Sequence, residues 1–437
     1  MAGKQIDPHA YHQKSPVLIR GFFHLPWRTA VLVFWVGWIL SCAPTLHKPP
    51  SPRVVAPPVE PEIRVCLTDR PATTSLQFLT PYRLQLEEAE YILDRRIGIL
   101  QVQLSADRVV LRNDKRYFSL PAPARLVFVP DGGTGQFEWN GRVYPGVFSI
   151  RLDHSGSYVI NQLPLEEYLK GVIPFEMPTG QAEYQEALLA QAVAARTYAL
   201  YRLRQEPRHP AFHLYADVRD QVYGGLEKVN DRVLEALRRT RGQVLTRSEQ
   251  VAHVQYHSTC GGYLENYLEP PDSSADLWAD RAEDGDNCRI SPIYRWIERR
   301  DVGTVLQNLQ RLGRIDEQDR EAWRQQGFAF RLRVNERTTT GRVQSLYIQV
   351  ADREFTIQGY AIRRVLADSS GRALPSNFFL LVTSPTLPEQ FYIIGAGFGH
   401  GRGMCQWGAL GMALSGANYR EILRFYFPAY ELKKVYQ

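Results

Sequence analysis

Three groups of residues in this sequence combine types and spacings that can do chemistry. Glu176 sits in Ile173-Pro174-Phe175-Glu176-Met177-Pro178, a segment constrained by prolines on both sides of the carboxylate. If Ile173, Phe175 and Met177 line one pocket with it, burial disfavours the charged form and raises its pKa, so that it can act as an acid near neutral pH. On an open loop the same residue is a solvated carboxylate or a helix cap. The second group is His257-Ser258-Thr259-Cys260-Gly261-Gly262, closing a strand-like run from Val251 to Tyr256. His257, Cys260 and Cys288 are three candidate ligands at irregular spacing, a weak pattern for zinc. A thiol nucleophile pairing Cys260 or Cys405 with His257 or His400 is weaker still. The third group is Gly395, Gly397, Gly399, Gly401 and Gly403, with His400 among them and Gln406 just beyond. Glycine at every second position of a strand leaves one face bare for a backbone or a ligand.

Other chemistries are excluded by absence. The chain has no Gly-x-x-x-x-Gly-Lys-Ser/Thr, no His-Glu-x-x-His and no Gly-x-Ser-x-Gly. With 437 residues there is room for two or three domains, and 44% hydrophobic against 22% charged residues argues against disorder. The net charge of +6 is spread without a Lys/Arg block, so nucleic acid is not the expected partner.

The elements that must position these residues point to an α+β fold, with a β-rich amino-terminal module over 63–161 and a mixed α/β region over 162–437. Val109-Val110-Leu111, Arg125 to Val129 and Gly146 to Ile150 are short strand-like runs divided by turn signals such as Asn140-Gly141. Helices are expected at Leu165 to Leu169, ending near Gly171, at Glu183 to Leu203, at Val229 to Thr240, closed by Gly242, and at Tyr419 to Tyr426. On the second of these, Leu188, Ala192, Ala195 and Ala199 share one face. Phe328 to Val350 and Phe355 to Gly359 read as strands.

Upstream, Lys4, Lys14, Arg20 and Arg28 precede the uncharged run Ala30 to Leu40, too short for the ~20 residues of a membrane span but right for the apolar core of an export signal. Ile39-Leu40-Ser41-Cys42 resembles the lipobox of bacterial lipoproteins, making Cys42 the lipidation site and residues 1–42 the signal; an uncut signal anchor is the alternative. The proline-rich stretch 43–62 then reads as a semi-rigid spacer. The expectation is an exported, membrane-anchored lipoprotein facing the periplasm or cell wall. Thiol pairing is permitted there, so a Cys260–Cys288 disulfide is expected in preference to a metal, and no metal is assigned.

Glu166-Glu167-Tyr168-Leu169-x-Gly171-Val172, Glu176-Met177-Pro178 and Glu186-Ala187-Leu188-x-Ala190-Gln191-Ala192-Val193-Ala194-Ala195-Arg196-Thr197-Tyr198-Ala199 together resemble the stage II sporulation protein D family. The resemblance continues through His257 to Gly262, Gly341-Arg342-Val343, Ile362-Arg363 and Gly399-His400-Gly401-x-Gly403-Met404-x-Gln406-x-Gly408-Ala409, spanning about Ile63 to Leu432. It implies a peptidoglycan lytic transglycosylase that cleaves between N-acetylmuramic acid and N-acetylglucosamine, with Glu176 as catalytic acid and then base, and no cofactor. The alternative is a glycan-binding activator of a cell-wall amidase that cuts nothing itself; Glu176 in its Glu-Met-Pro context favours the enzyme. A hydrolytic muramidase needs a second carboxylate, and Glu183, Glu186 and Asp217 are the nearest in sequence. The implied partners are glycan strands, an amidase and, through the lipid anchor, the membrane. Candidate glycan-contacting residues are Arg196, Tyr198, Tyr256, His257, Ser258, Thr259, His400 and Gln406. For Arg196 a buried salt bridge, and for Tyr198 simple packing, are equally good readings. Sporulation itself does not follow from the resemblance.

Overall fold

The computed structural model describes residues 59–86, 89–265, 285–325, 330–384 and 387–437. The expected export signal, Cys42 and most of the spacer lie outside them. Within them the fold is α+β.

The β-rich part consists of two antiparallel sheets. In one, Glu62–Thr68 lies between Gly156–Pro164 and the short parallel strand Leu214–Tyr215, and Val147–Asp153, Ala124–Pro130, Tyr82–Leu86 and Ala89–Leu93 follow in order. The other is built on Ala72–Phe78, flanked by Gln136–Trp139 and Leu100–Leu104. Strict alternation explains why these segments are strands: Leu100–Leu104 buries every second residue. Asn140 and Gly141 both have positive φ, the turn geometry that joins Gln136–Trp139 to Arg142–Pro145. An aromatic cluster of Phe78, Phe128, Phe137 and Phe148 fills the interior. The strand Gly156–Pro164 runs past 161 straight into the helix Leu165–Lys170, and one hydrophobic core spans the sheets and the helices beyond.

At the centre of those helices lies Gln185–Arg204. Sequence periodicity gives it one apolar face, but the structure buries residues all round it, from Ala187 to Thr197 without a break. Its alanines let neighbours approach on every side, so it behaves as a core helix rather than a surface one. Asp231–Thr240, capped by the Asn230 side chain, and Tyr419–Tyr426, held by an Asn418/Glu421 capping box, are both amphipathic helices that contribute to the same core.

Residues 295–396 form a second core of their own around Leu306, Leu346, Ile348, Ile362 and Ile393. Phe330–Arg337 and Val343–Val350 pair as a hairpin, continued by Arg353–Gln358. The strand Arg295–Asp301 pairs with Leu387–Ala396, bringing the chain back to where it left. After this excursion Met404–Cys405 pairs in parallel with Tyr256–His257, and Glu431–Lys434 pairs with Gln243–Arg247.

Two sequence expectations are corrected here. Val251 to Tyr256 is not one strand: only Gln250–Val251 and Tyr256–His257 pair, with irregular chain between. The glycine ladder is not a strand beyond Ala396 either. Gly397, Gly399, Gly401 and Gly403 all have positive φ, which folds the segment into successive turns. The bare positions serve the chain's own backbone: a Cβ on Gly403 would lie 2.0 Å from the Gln255 carbonyl oxygen, and one on Gly397 2.4 Å from that of Thr259.

Candidate functional site

Glu176 is the last residue of a single helical turn, Ile173–Glu176, which starts with Pro174 in its first turn and stops where Met177 becomes extended before Pro178. Ile173 and Met177 anchor the turn in the core, whereas Phe175 packs on Gly224 with the Lys228 ammonium 4.5 Å over its ring. Glu176 is therefore half-buried, with its carboxylate held from two directions. Oε1 accepts a 2.7 Å hydrogen bond from the Val222 amide, and Oε2 a 3.2 Å bond from the Gln406 side-chain amide. Burial raises its pKa, and these two donors offset only part of the rise. Both donors are neutral, so among the described residues no countercharge fixes the carboxylate in its ionised form.

Gln221 braces the pocket. Its side-chain amide donates to the Tyr256 hydroxyl (2.7 Å) and to the Ala195 carbonyl (3.2 Å), while its oxygen accepts from Tyr168 (3.2 Å). Burial and then nearby charges, Glu176 among them, push the Tyr256 and Tyr168 phenols well above their ordinary range, so both remain protonated. The segment Gln221-Val222 was not recognised as part of the site from the sequence. The signal was the following Gly224-Gly225 pair, where Gly225 has positive φ and a Cβ on Gly224 would strike the Phe175 ring.

The structure brings some of the sequence candidates to Glu176 and takes others away. Gln406 and Tyr256 belong to its surroundings. Arg196 does not: fully buried, it makes a bidentate pair with Glu166, both bonds 2.8 Å, and also reaches the Gln243 carbonyl. Tyr198 spends its hydroxyl on Asp220 at 2.7 Å. Thr259 is buried against the Ser291 hydroxyl, and the half-buried Ser258 receives the Trp407 amide on its carbonyl. His400 donates from Nε2 to the Tyr256 carbonyl and accepts the Arg402 amide at Nδ1. His257 turns inward, its Nδ1 donating to the Arg402 carbonyl at 2.9 Å. The expected Cys260–Cys288 bond is not made: both residues are thiols, with sulfurs 3.4 Å apart against ~2.05 Å for a disulfide.

Candidate second carboxylates are engaged elsewhere. Glu186 accepts the Tyr419 amide and pairs with Arg239, Asp217 pairs with Arg219, and Glu183 is exposed. Two surface cavities, one around Arg295, Arg337 and Phe378 and one around Pro130 and Gln162, are not lined by Glu176.

A stage II sporulation protein family matches residues 153–247, which include Glu176, and a domain of unknown function matches residues 276–403. An uncharacterised protein of Brachyspira hyodysenteriae is 28% identical over 366 residues, 84% of this chain and 91% of that protein. The stage II sporulation protein D of Bacillus subtilis is 26% identical over 302 residues, 65% of this chain and 79% of that protein. The amidase enhancer of Bacillus subtilis is 27% identical over 300 residues, 60% of this chain but only 39% of that protein.

Proposed function

The chain belongs, through residues 153–247, to the stage II sporulation protein D family, and on that premise we propose that it cuts peptidoglycan glycan strands as a lytic transglycosylase. The observation that carries this reading is the half-buried Glu176 carboxyl, raised in pKa and held only by neutral donors. Protonated Glu176 delivers its proton to the oxygen leaving C1 of N-acetylmuramic acid. The resulting carboxylate, oriented by Val222 and Gln406, then takes the proton of the sugar's own 6-hydroxyl as that oxygen attacks C1. The products are a 1,6-anhydro end and a new N-acetylglucosamine end, with no water consumed. One carboxyl suffices for both transfers, which accords with Glu183, Glu186 and Asp217 lying in other contacts or in solvent.

The second reading, a glycan-binding activator of a wall amidase, is favoured by the name of one relative, the Bacillus subtilis amidase enhancer. Mass spectrometry of purified glycan after incubation with the soluble part of the protein separates the readings. Anhydro ends support the transglycosylase and reducing ends a muramidase. An unchanged glycan, with faster stem-peptide removal by an added amidase, supports the activator. We further propose export and lipidation at Cys42, which Cys42→Ser tests: a variant still labelled by fatty acid overturns it.

A further inference from the structure

Next to the residues that hold Glu176, four side chains from separate stretches of chain converge. His257 and Cys260 follow Tyr256, Cys288 sits in the short helix Asn287–Ile290, and Cys405 immediately precedes Gln406. All four are buried, the cysteines completely and His257 to 4% exposure. A ring nitrogen of His257 and the sulfurs of Cys260 and Cys405 lie within 4.8 Å of one another. The Cys288 sulfur is 3.4 Å from that of Cys260. Ligands at ~2.0–2.3 Å from one tetrahedral zinc stand ~3.3–3.8 Å from each other, so His257, Cys260 and Cys405 must draw in by up to about an ångström to close on an ion, with the Cys288 sulfur already at that spacing from Cys260.

The surroundings prepare these groups to be ligands. Because His257 donates from Nδ1 to the Arg402 carbonyl, its lone pair is on Nε2, and that atom is buried with no hydrogen-bond partner among the described residues. A ring whose other N–H rests on a carbonyl is the usual arrangement of a metal-bound histidine. The Cys405 sulfur accepts the backbone amides of Cys260 (3.2 Å) and Gly408 (3.3 Å) and lies 3.7 Å from the Ser258 carbonyl oxygen. Such N–H···S contacts fix where the sulfur points. The buried Arg342 guanidinium, paired with Glu265 at 3.4 Å, donates to the Cys260 and Tyr263 carbonyls and so braces the loop that carries Cys260.

We propose that His257, through Nε2, and Cys260, Cys288 and Cys405 form a structural zinc site. Four protein ligands leave no position open for water, so the ion fastens rather than catalyses. Loading releases the three thiol protons to solvent and forms three Zn–S bonds and one Zn–N bond. The site locks Tyr256–His257 to Met404–Cys405, and so sets Tyr256 and Gln406 against Glu176. It stands on its own geometry and does not depend on the reaction proposed above.

The test is metal analysis of the full chain, purified without chelator from zinc-supplemented cells. One zinc per chain is expected, falling at least fivefold in Cys288→Ser and in Cys405→Ser and unchanged in Cys66→Ser. Because those variants can lose the fold, wild-type protein stripped and reloaded with Co(II) gives a second readout: intense thiolate-to-cobalt charge transfer and tetrahedral d–d bands. Glu176→Gln should carry wild-type zinc while losing cleavage, which separates failure of the site from failure of the function. Folded protein that takes up neither metal, zinc retained in Cys405→Ser, or a Cys260–Cys288 disulfide found by non-reducing peptide mapping would each overturn the proposal.

Discussion

Two glutamates on adjoining short helices, Glu166 and Glu176, are treated in opposite ways. Burial alone would raise the pKa of both. At Glu166 the Arg196 guanidinium more than reverses it, aided by the Tyr436 hydroxyl and the Gly242 amide, and holds the carboxyl below the ordinary range. At Glu176 the Val222 amide and the Gln406 side chain are neutral dipoles, and the net shift stays upward. Glu166 with its partner is framework: the pair ties the helix Leu165–Lys170 to Gln185–Arg204, to the turn at Gly242 and to the carboxyl-terminal Tyr436. Glu176, with only neutral donors on its carboxylate among the described residues, is shifted toward its protonated form. Partner identity, more than depth of burial, sets the opposite pKa shifts of the two carboxylates.

Substitutions sharpen that contrast. Glu176→Gln should preserve the fold and glycan binding but lower anhydro-product formation by at least ~10²–10⁴, the range of general acid catalysis; cleavage within a few-fold of wild type, measured by mass spectrometry, would remove Glu176 from the mechanism. Arg196→Ala leaves a charged carboxylate stranded in the core and should cost about 3–5 kcal/mol of stability, read as the shift of a urea unfolding midpoint. A stable Arg196→Ala protein that has lost only glycan affinity would instead return Arg196 to the substrate.

The two carboxyls also respond oppositely to pH. The folded-state pKa of Glu176 is raised, so its contribution to stability is present below the unfolded carboxyl pKa and lost as pH rises through the folded value. Activity that requires its proton fades in the same direction. Glu166 is depressed, so its contribution is present above the unfolded pKa and lost as pH falls through the folded value. Gln406→Ala removes a donor that favours the Glu176 anion, and should move the alkaline limb of the rate profile further upward while slowing cleavage by up to about tenfold. A limb that moves down would contradict the assigned hydrogen bond. The smallest effect is expected for Tyr198→Phe: losing the bond to Asp220 should cost about 1–2 kcal/mol in thermal unfolding and leave product formation unchanged.

Much of this molecule is legible in its sequence. Asn140-Gly141 marks a hairpin turn, Gly242 closes its helix, and Glu176 stands out between two prolines, because these signals act within a few residues of chain. What the sequence left open depends on distant residues meeting. Arg196 was equally readable as a sugar ligand or a buried ion pair until Glu166 was found opposite it. The glycine ladder suggested a strand because spacing does not disclose the sign of φ. The cysteines suggested a disulfide because their separation does not show that Cys405 and His257 share their pocket. Local propensity and periodicity are properties of short segments, and chain order carries them. Desolvation, countercharge and the convergence of Gln406 on Glu176 across 230 positions are properties of the packed interior, and only the tertiary structure decides them.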